Sequence, residues 1–83
     1  MNITVRYFAS LREALGAQEV VRLHAATTLG ALRDHLIASS PRHAEALRRG
    51  RALRCALNKA LAGEDAMLED GAEVAFFPPV TGG

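Results

Sequence analysis

The sequence predicts a small α+β domain in which a helix covers one face of a β-sheet. Three observations predict it. Apolar and polar residues alternate near both ends of the chain, as in half-buried strands. Between them Leu29, Leu32, Leu36 and Ile37 form a helical stripe. Turn signals divide the chain into a strand–strand–helix–strand–strand order. Its 83 residues, 49% hydrophobic and 23% charged, are enough for one modest core and one domain, residues 1–83.

Asn2 to Ala9 is the first strand. Ile3, Val5 and Tyr7 point one way, and Asn2, Thr4, Arg6 and Phe8 the other. Ser10 to Gly16 reads as a short helix, with Ser10 as N-cap, Glu13 at the capping-box position and Gly16 as the stop. Gln18 to Leu23 is a second strand with Val21 and Leu23 inward. Thr28 caps the main helix, which runs to about Ser39 and leaves Arg33 and Asp34 outside the apolar stripe. Gly30 in its first turn costs roughly 0.5–1 kcal/mol against alanine. Ser40-Pro41 restarts a helix as cap and first position. Ala44 and Leu47 face inward, Arg48 and Arg49 complement the C-terminal dipole, and Gly50 ends the helix. Leu53 to Asn58 is the third strand, and Asn58-Lys59 is a tight turn into a short strand around Ala60 to Ala62. Glu64 to Asp70 is a polar loop with Met67 and Leu68 tucked beneath it. Asp70-Gly71 turns into the last strand, Glu73 to Phe77. If that strand pairs with the first, both lie at the sheet centre.

Little in the chain suggests catalysis. The net charge is +1, so nothing at whole-chain level points to nucleic acid. Arg42, Arg48, Arg49, Arg51 and Arg54 form a basic stretch without interleaved aromatics, followed by acidic Glu64, Asp65, Glu69, Asp70 and Glu73. These are solvated faces or a docking surface, and the role of the Arg42–Arg54 stretch stays open. Cys55 is the single cysteine, so no intrachain disulfide forms and a reducing cytoplasm is the simplest location. It falls in an apolar strand and reads as inert packing. Asn2 and Arg6 argue against a signal peptide, and no apolar run is long enough to span a membrane. His24, His35 and His43 match no metal-site spacing and read as surface residues. There is no Gly-rich phosphate loop and no nucleophile elbow. Glu69, Asp70 and Glu73 flank a turn as solvated carboxylates. The expectation is a module that works with partners, not an enzyme on its own, with no metal and no cofactor bound by the free chain.

What the chain does offer is its ending, Phe76-Phe77-Pro78-Pro79-Val80-Thr81-Gly82-Gly83. The prolines lack a ladder donor, so a strand must stop there. Residues 79–83 then form a flexible tail reaching roughly 17 Å when extended. A frayed terminus would end without pattern. Here an apolar strand, two prolines and a terminal diglycine coincide, which suits a tail threaded into a narrow slot of another protein. A carboxylate is a poor electrophile, but adenylylation makes it an acyl donor and sulfur attack then yields a thiocarboxylate or thioester. Two glycines pass where a side chain would clash, and a Cβ at position 83 would crowd the reacting carbon.

The stretch from Asp70 to Gly83, with Tyr7-Phe8-Ala9, Leu11-Arg12-Glu13 and Ala56-Leu57-Asn58, resembles the sulfur-carrying small subunits of molybdopterin synthase over essentially the whole chain. Leu57 is a minor departure, since an apolar β-branched residue is commoner there. The resemblance implies a ubiquitin-like β-grasp fold, with a mixed four- to five-stranded sheet packed against one main helix plus short helices. It implies that an ATP-dependent, ubiquitin-activating-like adenylyltransferase adenylates Gly83, with Gly82 giving access. Sulfur from a cysteine persulfide would then convert the acyl-adenylate to a thiocarboxylate, so AMP and sulfur are carried only transiently. The tail would enter the large synthase subunit, within a heterotetramer, and give its sulfur to cyclic pyranopterin monophosphate to build the dithiolene. Catalytic groups would belong to the large subunit. Strand alternation turns Phe8 and Phe77 outward, and Leu61 sits on the short neighbouring strand. With Pro78, Pro79, Val80 and Thr81 they are the expected partner interface. Related possibilities are a carrier of the same fold for thiamine synthesis or tRNA thiolation, a ubiquitin-like protein modifier, and an interaction domain whose glycines are incidental.

Overall fold

The computed structural model describes residues 1–79. In chain order its elements are β1 (Asn2–Tyr7), α1 (Ser10–Leu15), β2 (Gln18–Arg22), α2 (Leu29–Ser39), α3 (Pro41–Ala46), β3 (Arg54–Leu57), β4 (Ala60–Ala62) and β5 (Glu73–Phe77). The strands form one mixed sheet in the order β2-β1-β5-β3-β4. β1 and β5 run parallel at its centre, and every other neighbouring pair is antiparallel. Parallel strands need a long crossover, and the segment carrying α2 and α3 supplies it.

The register explains the layering. Tyr7 pairs with Phe76, and Phe76 with Cys55, so one row of three strands points into the core. Ile3, Val5, Tyr7, Val74 and Phe76 meet Leu29, Leu32 and Leu36 of α2, all of them at most 1% exposed. Each such side chain contributes about 1.5–3 kcal/mol by leaving water. The Tyr7 and Phe76 rings stack at 6.4 Å, which adds to that burial. Thr28 caps α2 by accepting the Ala31 N–H at 3.1 Å, and Ser40 caps α3 by accepting that of His43 at 3.1 Å. Both caps follow the sequence pattern, as do the bounds of β4 and β5.

Four local expectations are corrected. Ser10 is not the cap of α1. Ala9 occupies that position with φ +53, no side chain caps the helix, and the Ser10 hydroxyl accepts a hydrogen bond from Arg51. α3 stops at Ala46 with Leu47 as its C-cap, so neither Gly50 nor the Arg48–Arg49 pair forms its end. Met67 is 57% exposed; only Leu68 is buried beneath the loop. Arg33, expected outside the apolar stripe, is 3% exposed.

The partners of Arg33 explain its burial. Its guanidinium donates to the carbonyls of Leu47 (2.8 Å), Arg48 (2.7 Å) and Arg51 (3.2 Å), and to Glu64 (3.1 Å). It thus satisfies carbonyls at the end of α3 and in the loop that follows, while Glu64 balances its charge. Arg49 pairs with Asp34 and Glu64 and donates to the Gly30 carbonyl. Arg49 of the basic stretch thus meets Glu64 of the acidic one, while Arg42 and Arg54 stay exposed. This contact also explains Gly30: a Cβ there would lie 3.0–3.2 Å from atoms of Glu64.

Candidate functional site

The sheet face away from α2 is the candidate site. Alternation that sends Tyr7, Phe76 and Cys55 inward sends their neighbours outward. Arg6 pairs with Ala75, Ala75 with Ala56, and Ala56 with Leu61, so these four form one row across β1, β5, β3 and β4. Two alanines in the middle leave the row low. Phe8 and Phe77 rise beside it, and the result is a concavity of about 460 Å³. Phe8, Ala56, Ala75 and Phe77 supply its apolar lining; Arg6, Lys59 and Glu73 supply its polar lining.

Phe8 reaches this face because the chain turns sharply after β1. Its N–H donates to the Phe76 carbonyl at 3.3 Å, and Ala9 follows with positive φ. A non-glycine residue in that region costs of order 1–3 kcal/mol, which the surrounding contacts must offset. The Arg6 guanidinium lies 5.2 Å from the centroid of the Phe8 ring, a cation–π contact that holds both side chains over the face. Lys59 comes from the β3–β4 hairpin. Asn58 and Lys59 have φ +49 and +70, the two left-handed residues of a type I′ turn.

Of the residues expected at a partner interface, Phe8 (37% exposed) and the half-buried Phe77 share the concavity. Leu61, 68% exposed, extends the same row outside it. Pro78 and Pro79 follow β5, half-buried. Val80, Thr81, Gly82 and Gly83 lie outside the described residues. Sequence reasoning put Arg6 on the side of Phe8 but named neither it nor Lys59, Ala56 and Ala75 as part of the site. Period two gave a signal for Arg6, Ala56 and Ala75. None existed for Lys59, whose direction depends on the turn type.

Elsewhere the chemistry is structural. Burial pushes the Cys55 thiol up, with Glu64 adding to the effect, so it stays protonated rather than nucleophilic. His43 is half-buried, not a surface residue: Nε2 lies 2.7 Å from Glu19 and Nδ1 lies 2.7 Å from the Ser40 hydroxyl. The Tyr7 hydroxyl donates to the same Glu19 oxygen at 2.7 Å. Burial drives that hydroxyl's pKa upward, and Glu19 drives it further. This cluster ties α3 to β2 and the core. His24 and His35 are exposed. Among the described residues no group of three or more His, Cys, Asp or Glu could hold a metal, and no helix is long and apolar enough to cross a membrane. The open face thus combines an apolar floor with two cations and one carboxylate at its margin.

Comparison with known proteins agrees with this architecture. The model of the ThiS family matches residues 5–83. The chain is 47% identical over 81 residues to the molybdopterin synthase sulfur carrier subunit of Escherichia coli (strain K12), covering 98% of this chain and 99% of that one. Its fold is similar to a chain in the complex of subunits 1 and 2 of the molybdopterin-converting factor from Helicobacter pylori 26695, with TM-score 0.68, 27% identity and full coverage of both chains. It is also similar to the small archaeal modifier protein 1 of Haloferax volcanii, with TM-score 0.76 and 25% identity over 95% of this chain and 98% of that one. The chain belongs to the ThiS family, with the ubiquitin-like β-grasp fold, and within it to the molybdopterin synthase sulfur carrier subunits.

Proposed function

We propose, from that family membership, that the chain carries sulfur on the carboxylate of Gly83. An ATP-dependent, ubiquitin-activating-like adenylyltransferase forms the acyl-adenylate and releases pyrophosphate. Persulfide sulfur then attacks the acyl carbon and AMP leaves; a second thiol, as the two-electron reductant, cleaves the resulting acyl disulfide, so that the thiocarboxylate is released and the two donor sulfurs end as a disulfide. In complex with the large subunit of molybdopterin synthase, as a heterotetramer, the thiocarboxylate gives its sulfur to cyclic pyranopterin monophosphate. AMP and sulfur are held only in passing, and the chain is the donor rather than the catalyst. A reducing, cytoplasmic setting suits this chemistry.

The observation that carries the reading is the chain-long identity to a molybdopterin synthase sulfur carrier subunit. The position of β5 supports it. As a central strand it is held on both sides, so whatever follows Phe77 has a rigid anchor beside the apolar concavity. The Helicobacter pylori complex of two subunits supports docking to a large subunit. The test is the intact mass after incubation with the activating enzyme, ATP and a sulfur donor. We expect one oxygen exchanged for sulfur, mapped to Gly83, and transfer of that sulfur to the pterin precursor. An unchanged mass under conditions that thiolate a known carrier would sink the proposal. Likeness to an archaeal modifier protein favours a second reading, conjugation to protein lysines, which isopeptide-linked adducts in lysates would reveal.

A further inference from the structure

The apolar floor of the concavity suits many partners, but its charged margin is more selective. Arg6 and Lys59 bring two positive charges to it and Glu73 one negative. Among the described residues neither cation makes an ion pair, whereas Arg33, Arg48 and Arg49 do. Arg6 lies over the Phe8 ring, so its guanidinium is held at the face while its N–H edges stay available for a planar carboxylate. Lys59 is the chain's only lysine. It occupies the second left-handed position of a type I′ turn, where glycine is the favoured residue, with φ +70. A strained residue that bears an unpaired charge beside a docking face points to recognition rather than to turn stability.

We propose that Arg6 and Lys59 form a cationic rim that selects a partner by its carboxylates. The matching surface places an apolar side chain over Ala56 and Ala75, between Phe8 and Phe77, and flanks it with acidic side chains facing Arg6 and Lys59. This rests on the reading that a large subunit docks on the open face, and it names the chemistry of that subunit's contact. Rim charges act mainly on the rate of encounter and on the rejection of wrong partners, so the effect is screened by salt.

The test titrates the large subunit from the same source against the full chain and its variants. Lys59→Glu should weaken binding about tenfold or more, chiefly through slower association, while Lys59→Arg binds like the unmodified chain. Lys59→Gly suits the turn and removes the charge, so it should fold at least as well yet bind more weakly. Arg6→Glu should act as Lys59→Glu does; if it fails to fold, Arg6→Gln replaces it, and the Lys59 variants on their exposed turn decide. Raising salt from about 0.05 to 0.5 M should weaken the unmodified chain but hardly affect the Arg6→Gln/Lys59→Gln double variant. If Lys59→Glu binds normally with unchanged salt dependence while Phe77→Ala binds weakly, the face is used, the rim is idle and this proposal is overturned. If neither variant binds differently, docking on this face is refuted and the rim proposal falls with it. If the rim variants weaken binding but Gly83 never gains sulfur, the proposed function fails and the rim stands.

Discussion

The two faces of β1 and β5 share the same backbone and almost nothing else. Inward, Ile3, Val5, Tyr7, Val74 and Phe76 are at most 1% exposed beneath α2. Outward, Arg6, Ala75 and Phe77 stay partly open to water on the same two strands. One face removes apolar area from water on folding; the other keeps apolar area accessible, where it can drive association instead. Buried and open positions are thus separated by single steps along each strand, most sharply at the neighbours Phe76 and Phe77.

Substitutions at that boundary break the comparison if it is wrong. Phe76→Ala should have the largest effect, a loss of about 3–5 kcal/mol of stability in urea unfolding, because it opens a cavity in the central strand. A near-normal denaturation midpoint would show that the inner face is not the stabilising one. Arg33→Met should follow, at about 2–4 kcal/mol. It leaves the Leu47, Arg48 and Arg51 carbonyls without their donor, and the loss should appear in unfolding while binding of the folded chain is unchanged. Phe77→Ala reverses the pattern. Affinity for the large subunit should drop about tenfold, worth about 1.4 kcal/mol, with little change in stability. Equal affinity in calorimetric titration would remove Phe77 from the interface.

The smallest effect concerns Glu64. The hydrogen bond from Arg49 holds its carboxyl below the usual 4.5, with the charges of Arg49 and Arg33 adding to it. Because the folded value is depressed, the stabilisation is fully present above the unfolded value and is lost as pH falls through the folded one. Both Glu64 and Arg49 are partly solvated, so the contribution is no more than about 1 kcal/mol. Glu64→Gln should therefore lower the melting temperature by a few degrees near neutrality. The gap to the unmodified chain should close below pH 4.5; a gap that persists in acid would assign the effect to packing.

Much of this was legible in the residues. Period-two alternation identified the first strand, apolar runs and turn signals located the others, and the inward residues Ile3, Val5, Tyr7, Val21 and Leu23 are indeed in the core. Thr28 and Ser40 are caps because their hydroxyls reach backbone N–H groups three residues on, a purely local geometry. Ser10 has the same signature and fails, because the N-cap falls one residue earlier, at Ala9, and its hydroxyl accepts instead from Arg51, 41 residues away in sequence. Arg33 fails for a similar reason: a helical stripe shows which residues are apolar, not which carbonyls a distant loop leaves without donors. Phe8 and Phe77 were read as outward-facing from alternation alone. That they share one concavity with Lys59 was not visible, since three separate segments build it.

The sequence by itself determined the order of strands and helices and the inward and outward sides of β1, β2 and β5. Each of these depends on neighbours a few residues apart or on the residue types themselves. Only the tertiary structure decided that Arg33 is buried, that the basic and acidic runs meet, and that Arg6, Phe8, Lys59 and Phe77 surround one concavity. Those outcomes depend on the pairing of β1 with β5 and β5 with β3, contacts made between distant parts of the chain whose register no local pattern specifies.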